Sequence, residues 1–266
     1  MSKNIVWLAS YPKSGNTWIR AIVYAALFGQ INIQKLGQMI PNFAFFASQL
    51  NDEKFESPGQ IRHFWARAQQ ELCHSSGESR VLLKTHNAAG VYDVGEFPSK
   101  KYTEKAVYVV RDPKDVAISY SYHFGQNLDI SINSLLNETN INFKPKDLSR
   151  GEFLSSWDNH VKSWQNLPFP VLRVRYEDLL ENPFHYTEKI LTFLDIEPTI
   201  TIEEIVNLTS FKKLANQEKN EGFAEAGKNE MFFSNGSKSQ WLQYDEKKFE
   251  KLIAKFEPIM RGLNYI

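Results

Sequence analysis

Cysteine is almost missing from this chain, with Cys73 the single example in 266 residues. One cysteine excludes an intramolecular disulfide framework and any CxxC metal cluster, and it points to a reducing compartment, with the cytoplasm as the expectation. Net charge is missing as well: Lys+Arg is 31 and Asp+Glu is 31. No overall field recruits nucleic acid or an acidic membrane, so neither is expected as a partner and any anion site must be local. Apolar runs stop well short of the ~18 residues that suggest a membrane span. The N-terminus has Lys3 before a short apolar run, without the long apolar stretch and cleavage site of a signal peptide, so neither export nor insertion is expected. His63, His74, His86, His123, His160 and His185 are scattered with no HExxH or HxH spacing. No metal site is expected.

Four short runs rich in Val, Ile, Leu and aromatics are present: "NIVWLA" (4–9), "RVLLKTH" (80–86), "KAVYVV" (105–110) and "VLRVRY" (171–176). Their near-continuous apolar character suits parallel strands covered on both faces. Helical periodicity fills the intervals at 17–28, ending at Gly29; at 113–124, with Asp112 as N-cap and Pro113 at the first helical position; at 153–165; and at 183–194. A closing helix is expected near 246–263. Alternating strand and helix implies an α/β fold of three layers with right-handed crossovers, in which ligands bind at the carboxyl ends of the strands. Residues 127–151, poor in large apolar side chains, suit a surface insertion, and the polar, glycine-punctuated 217–240 suits a mobile loop on a single domain of 1–266.

"YPKSGNTW" follows the first strand and opens a helix. Backbone N–H groups at a helix N-terminus favour a phosphate or similar dianion; Gly15 allows close approach, Lys13 supplies a charge, and Ser14 and Thr17 supply hydroxyls. The Walker pattern is a poor match, because the lysine precedes the only glycine and no glycine stands four residues earlier. A structural strand-to-helix turn is the other reading of these residues. His86 closes the second strand as "KTH", where a structural histidine and a catalytic one both fit. Arg111, at the end of the third strand, is followed eight residues later by Ser119, a guanidinium and a hydroxyl suited to one phosphate; a local ion pair would also explain the arginine. Glu177 and Asp178 stand where a helix starts, which suits caps better than an acid and base pair.

Together these segments resemble the sulfotransferase family. "SYPKSGNTW" is similar to its 5′-phosphosulfate loop, "KTH" to its K-[TS]-H motif, "RDPKDVAIS" to its 3′-phosphate motif, "RYEDLLENP" to its Y-E-D segment and "TSFKKL" to its T-S-F box. The resemblance spans residues 5–241 and implies a P-loop NTPase-like three-layer sandwich with a central, mostly parallel sheet flanked by helices. It implies 3′-phosphoadenosine 5′-phosphosulfate (PAPS) as co-substrate without a metal. It implies Lys13, Ser14, Gly15, Asn16, Thr17 and Trp18 at the 5′-phosphate, Arg111 and Ser119 at the 3′-phosphate, and Tyr176, Thr209, Ser210 and Phe211 on the adenosine side. His86 would take the proton from an acceptor hydroxyl, with Lys13 and Lys84 stabilising charge at the transferring group.

One box departs from the pattern. Where the family has R-K-G-x-x-G-D-W, this chain has "SNGSKSQW", keeping Gly236 and Trp241 but replacing the basic pair by Ser234 and Asn235. Lys228, Lys238 or backbone near Gly236 are the candidate replacements. The expected acceptor is a small-molecule hydroxyl, whether phenol, natural product or acyl chain, and Phe43, Phe45, Phe46, Phe64, Trp65, Tyr122 and Phe124 are either its pocket or core. The family's K-x-x-x-T-V-x-x-x-E dimer motif is not visible, so monomer and homodimer both stand. A Mg-ATP-dependent small-molecule kinase and a non-catalytic nucleotide-binding protein of the same fold are the competing readings.

Overall fold

The computed structural model describes residues 3–50, 56–77, 79–92, 95–144, 147–226, 231–233 and 236–266. The chain divides into two compact units, one of Met1–Tyr11, Ile40–Val109 and Glu138–Arg173, the other of Pro12–Met39, Val110–Asn137 and Val174–Ile266.

Among the described residues the first unit carries eight strands: β1 (Ile5–Ser10), β2 (Val81–Thr85), β3 (Gly90–Tyr92), β4 (Gly95–Phe97), β5 (Thr103–Val110), β6 (Ile141–Lys144), β7 (Asp147–Phe153) and β8 (Val171–Arg175). The last residue of β5 and the last two of β8 run past its boundary. The main sheet has the order β2-β1-β5-β8. Strand β1 pairs in parallel with both β2 and β5, and all six of its residues are buried. That is why "IVWLAS" reads as an unbroken apolar run rather than an alternation. The Trp7 indole is fully buried and donates to Thr103 Oγ1 at 3.0 Å. Phe43 and Phe97 lie edge-on to it at 5.1 and 5.2 Å, and Trp65 packs on Phe97 at 4.7 Å. Replacing Trp7 by alanine would cost on the order of 3–5 kcal/mol. Phe43 and Trp65 are therefore core; Phe46 and Phe64 are half-buried, while Phe45 is exposed.

The second unit is helical. Its first helix, Asn16–Phe28, begins one residue before the expected start and stops at Gly29, whose left-handed backbone (φ 65°) lets its N–H reach the Ala25 carbonyl at 2.9 Å. The helix Pro113–Phe124 falls on the expected bounds, with the Asp112 side chain accepting from the Lys114 N–H. Ala21, Tyr24, Ile33, Leu36, Leu214, Phe223 and Phe233 form a core cluster. Leu252, Phe256 and Met260 of the closing helix recur every fourth residue and are buried. Tyr122 and Phe124 are exposed.

Some expected bounds shift. The helix expected at 153–165 is Trp157–Ser163, because Phe153 belongs to β7 and Ser155 takes a left-handed turn at φ 58°. The closing helix is Glu250–Gly262, preceded by a 3-10 turn at Glu246–Phe249. Residues 127–151, the expected surface insertion, hold a helix, Leu128–Leu136, and most of the antiparallel β6-β7 pair. Of the loop expected at 217–240, residues 217–221 finish the helix Phe211–Glu221. Residues 227–230, including Lys228, and 234–235, including Ser234 and Asn235, lie outside the described residues.

Candidate active site

Each strand of the main sheet is followed in the chain by one of the expected segments: β1 by the loop Pro12–Gly15, β2 by His86, β5 by Arg111 and β8 by Tyr176. The loop, Arg111 and Tyr176 belong to the second unit and His86 to the first.

In the second unit the loop turns through two left-handed residues, Lys13 (φ 67°) and Gly15 (φ 107°). Gly15 is the N-cap of the helix, and its carbonyl accepts from the Trp18 and Ile19 N–H groups at 3.0 and 3.3 Å. Ser14 is fully buried, and its hydroxyl has no hydrogen-bond partner among the described residues. A buried hydroxyl without a partner costs about 1–3 kcal/mol, so this position suits a ligand oxygen. Asn16 and Thr17 are also buried.

Arg111 ties the cradle together. Its guanidinium donates to the Lys13 carbonyl at 3.2 Å and to the Ser237 carbonyl at 2.9 Å, lies 4.5 Å over the Tyr176 ring and sits 3.8 Å from the Asp115 carboxylate. Its buried Nε has no partner among the described residues. The Tyr176 hydroxyl donates to the Gly236 carbonyl at 2.8 Å, and its ring meets Trp18 edge-on at 5.6 Å. Burial pushes the Tyr176 phenol pKa up, so the hydroxyl keeps its proton. The Lys13 ammonium stands 3.8 Å over the Phe232 ring.

The box that lost its basic pair is held by its backbone. The Gly236 and Ser237 carbonyls accept from Tyr176 and Arg111, while the Ser239 and Trp241 N–H groups donate to the Asp115 carboxylate at 2.8 and 3.2 Å. Burial raises the Asp115 pKa, opposed by Arg111 and those amides. Gly236 takes φ +54°, and a Cβ there would stand 2.1 Å from the Phe211 ring, so glycine is required. Lys114 is buried, with its ammonium 3.5 Å over the Trp241 ring.

The remaining expected residues are less engaged. Ser119 is half-buried, one helical turn beyond Asp115. The Thr209 and Ser210 hydroxyls donate to the Ile205 and Asn207 carbonyls, each at 2.8 Å, which leaves their oxygens to act as acceptors. Lys238 pairs with the Glu181 carboxylate. Glu177 and Asp178 do not cap their helix. Glu177 accepts from the Asp112 N–H and the Tyr265 hydroxyl, each at 3.0 Å, and Asp178 pairs with Arg175 at 3.0 Å.

Sequence reasoning missed Asp115, Ser237 and Phe232 in this cradle, and also Arg20. Arg20 is fully buried, pairs with Glu225 at 2.7 Å and donates to Thr17 Oγ1 at 3.2 Å. Its signal was present: one arginine inside the otherwise apolar "WIRAIVYAAL" needs a buried partner.

In the first unit, His86 follows β2 and is buried. Its Nδ1 lies 2.7 Å from the Ser10 carbonyl and 3.2 Å from Ser10 Oγ. A carbonyl only accepts, so Nδ1 carries the proton and Nε2 is the basic atom of the neutral ring. Lys84 is half-buried, and its N–H donates to the Pro41 carbonyl at 2.9 Å.

The family model described as the sulfotransferase domain matches residues 3–263. Sulfotransferase 1A1 of Rattus norvegicus is 33% identical over 215 residues, covering 78% of this chain and 65% of the relative. Flavonol 3-sulfotransferase of Flaveria bidentis is 25% identical over 272 residues, covering 94% and 80%. The chain thus spans about two thirds of the length of the 1A1 relatives, 65% in the rat. Among solved structures, mouse sulfotransferase SULT7A1 complexed with PAP (adenosine 3′,5′-bisphosphate) has TM-score 0.65 at 20% identity, covering 98% of this chain and 86% of that one. Retinol dehydratase in complex with androsterone and inactive cofactor PAP has TM-score 0.63 at 19% identity, covering 98% and 81%. These likenesses give the fold, an α/β sandwich around a parallel sheet. With 261 of 266 residues inside the family model, and with the family's motifs following the sheet strands in order, the chain belongs to the sulfotransferase domain family.

Proposed function

We propose that this chain transfers a sulfuryl group from PAPS to the hydroxyl of a small-molecule acceptor, with 1–266 acting as one catalytic module. The observation that carries the reading is Arg111, whose guanidinium joins the Lys13 loop, the Tyr176 ring and the Gly236–Ser237 backbone in one cradle. The orphaned Ser14 hydroxyl and the Gly236 position that excludes a Cβ fit a bound nucleotide. PAPS supplies an activated sulfuryl group on a phosphate leaving group. Lys13, the Ser14 hydroxyl and the first-turn amides after Gly15 hold the 5′ end and stabilise charge growing there. Arg111, Ser119 and the backbone near Gly236 hold the 3′-phosphate; Trp18, Tyr176 and Phe211 present aromatic faces to the adenine, and Thr209 and Ser210 offer acceptor oxygens beside it. Lys238 adds positive charge near the 3′ end. His86 Nε2 receives the acceptor's hydroxyl proton while Nδ1–H stays on the Ser10 carbonyl, and Lys84 steadies the sulfuryl oxygens.

Relatives named for flavonol, and a solved neighbour holding androsterone, support a hydroxylated small molecule as acceptor, with phenolic natural products the preferred class. No helix among the described residues is long and apolar enough to cross a membrane. Cys73 is a buried thiol donating to Asn4, and the proposed setting is the cytoplasm. Calorimetric titration tests the donor assignment: adenosine 3′,5′-bisphosphate binds without added metal, and tighter than Mg-ATP. Preference for Mg-ATP would overturn it in favour of a kinase.

A further inference from the structure

We infer that His160 is a positioning residue for the proposed base: through its Nε2–H bond to the His86 carbonyl it fixes the peptide, and through it the ring, of His86. The inference rests on the reading of His86 as base, and its principal test does not.

His160 is fully buried in the helix Trp157–Ser163. Its Nε2 lies 3.0 Å from the His86 carbonyl and its Nδ1 lies 2.8 Å from the Tyr108 hydroxyl. The carbonyl can only accept, so His160 Nε2 carries the ring proton; Nδ1 then accepts from the Tyr108 O–H. The result is a directed chain, Tyr108 O–H to His160, His160 N–H to the His86 carbonyl, and His86 Nδ1–H to the Ser10 carbonyl at 2.7 Å. The Ser10 carbonyl selects the His86 tautomer and leaves Nε2 as base, while His160 fixes the His86 peptide that holds the ring against Ser10. Burial holds the His160 pKa down to about 3, so the ring stays neutral where the reaction runs. Facing it are the Tyr108 phenol, stacked at 5.7 Å, the edge of Tyr11 at 5.3 Å, and His86. Arg173 acts on Tyr108 from the strand beside β5.

Core packing alone would accept phenylalanine at 160. Instead, one helical turn directs three polar side chains at the segment that follows β2. His160 donates to the His86 carbonyl, the Trp164 indole donates to the Asn87 carbonyl at 3.1 Å, and Ser163 Oγ accepts from the Ala89 N–H at 2.9 Å. Buried polar groups are costly unless paired, and here the pairs converge on residues 86–89. Misplacing a catalytic group by about 1 Å can cost on the order of 10²-fold in rate.

The test uses the full chain with ¹⁵N-labelled histidine. In the wild type, His86 titrates from a single neutral tautomer, with Nδ1 protonated and Nε2 bare. His160→Phe keeps the ring volume and removes both hydrogen bonds; His86 then averages between tautomers and its pKa moves. His160→Gln, which restores an amide donor near Nε2, returns the wild-type tautomer. With PAPS and 4-nitrophenol as probe acceptor, His160→Phe lowers kcat about 10–100-fold and shifts the acid limb of the kcat profile, with KM and calorimetric affinity for adenosine 3′,5′-bisphosphate within about twofold. If His160→Phe fails to fold, Tyr108→Phe, which removes the donor to His160 Nδ1, carries the same nitrogen readout. An unchanged His86 tautomer and pKa in folded His160→Phe, or in folded Tyr108→Phe in its place, overturns the inference. Wild-type turnover in His86→Ala would overturn the base assignment instead, and leaves the tautomer test standing.

Discussion

The Arg111 guanidinium donates to the carbonyl of Ser237 at 2.9 Å, across 126 residues of sequence. That bond joins the end of β5 to the box in which the family's basic pair has become Ser234 and Asn235. A guanidinium that shapes the cradle and also faces a phosphate has two losses to show on truncation. Arg111→Ala is expected to weaken adenosine 3′,5′-bisphosphate about 10–100-fold, the scale of a charge-assisted hydrogen bond, and adenosine 5′-phosphate far less. Equal losses by calorimetry would place Arg111 in the scaffold only.

Gly236→Ala meets two obstacles: the φ of +54° and the Phe211 ring 2.1 Å from the new Cβ. Destabilisation of about 1–3 kcal/mol is expected, with nucleotide affinity falling further because Tyr176 and Arg111 both grip this backbone. Urea unfolding with and without adenosine 3′,5′-bisphosphate checks both parts.

Lys238 is paired with Glu181, and both side chains are about half exposed. Exposed pairs contribute little to stability, so Glu181→Gln should leave the melting temperature nearly unchanged. It releases the lysine charge toward the 3′ end, and affinity for adenosine 3′,5′-bisphosphate is expected to rise about twofold to fivefold at low salt and less at high salt. No change at low salt would remove Lys238 from the binding set.

Much of the architecture was legible because local signals agreed with the global fold. "NIVWLA" reads as a buried parallel strand, one residue off the observed Ile5–Ser10, and Asp112-Pro113 and Gly29 mark helix ends where the structure has them. The β6-β7 pair was not legible: its segment has few large apolar residues, and its partners are set by long-range packing. In the site, Lys13 and Arg111 stood out as charges after the ends of apolar runs, while Tyr176 came only from the resemblance to the family's Y-E-D segment. Asp115 and Ser237 could not be named, since one acts on backbone amides and the other through its carbonyl. Backbone contacts leave little trace in residue type.

His160 also makes stability depend on pH. Its pKa is lowered from 6.5 to about 3 by burial, so between those values the unfolded chain holds a proton that the folded chain refuses. This contribution is complete above about pH 6.5 and is lost as pH falls toward 3, roughly 5 kcal/mol at full extent. Asp112 works the other way: burial raises its pKa to about 7, and stability from that group declines as pH rises from about 4 to 7. Urea midpoints of His160→Phe should fall less steeply than wild type below pH 6.5, and those of Asp112→Asn should vary less between pH 4 and 7.

The most direct test is formation of adenosine 3′,5′-bisphosphate and sulfated product from PAPS, followed by mass spectrometry over a panel of phenolic and aliphatic hydroxyl acceptors. The account predicts a sulfuryl mass gain on at least one acceptor without added metal, reduced about 10²–10⁴-fold in His86→Ala while adenosine 3′,5′-bisphosphate still binds. Product formation that survives intact in His86→Ala, or phosphoryl gain from Mg-ATP in place of sulfuryl gain from PAPS, would contradict it.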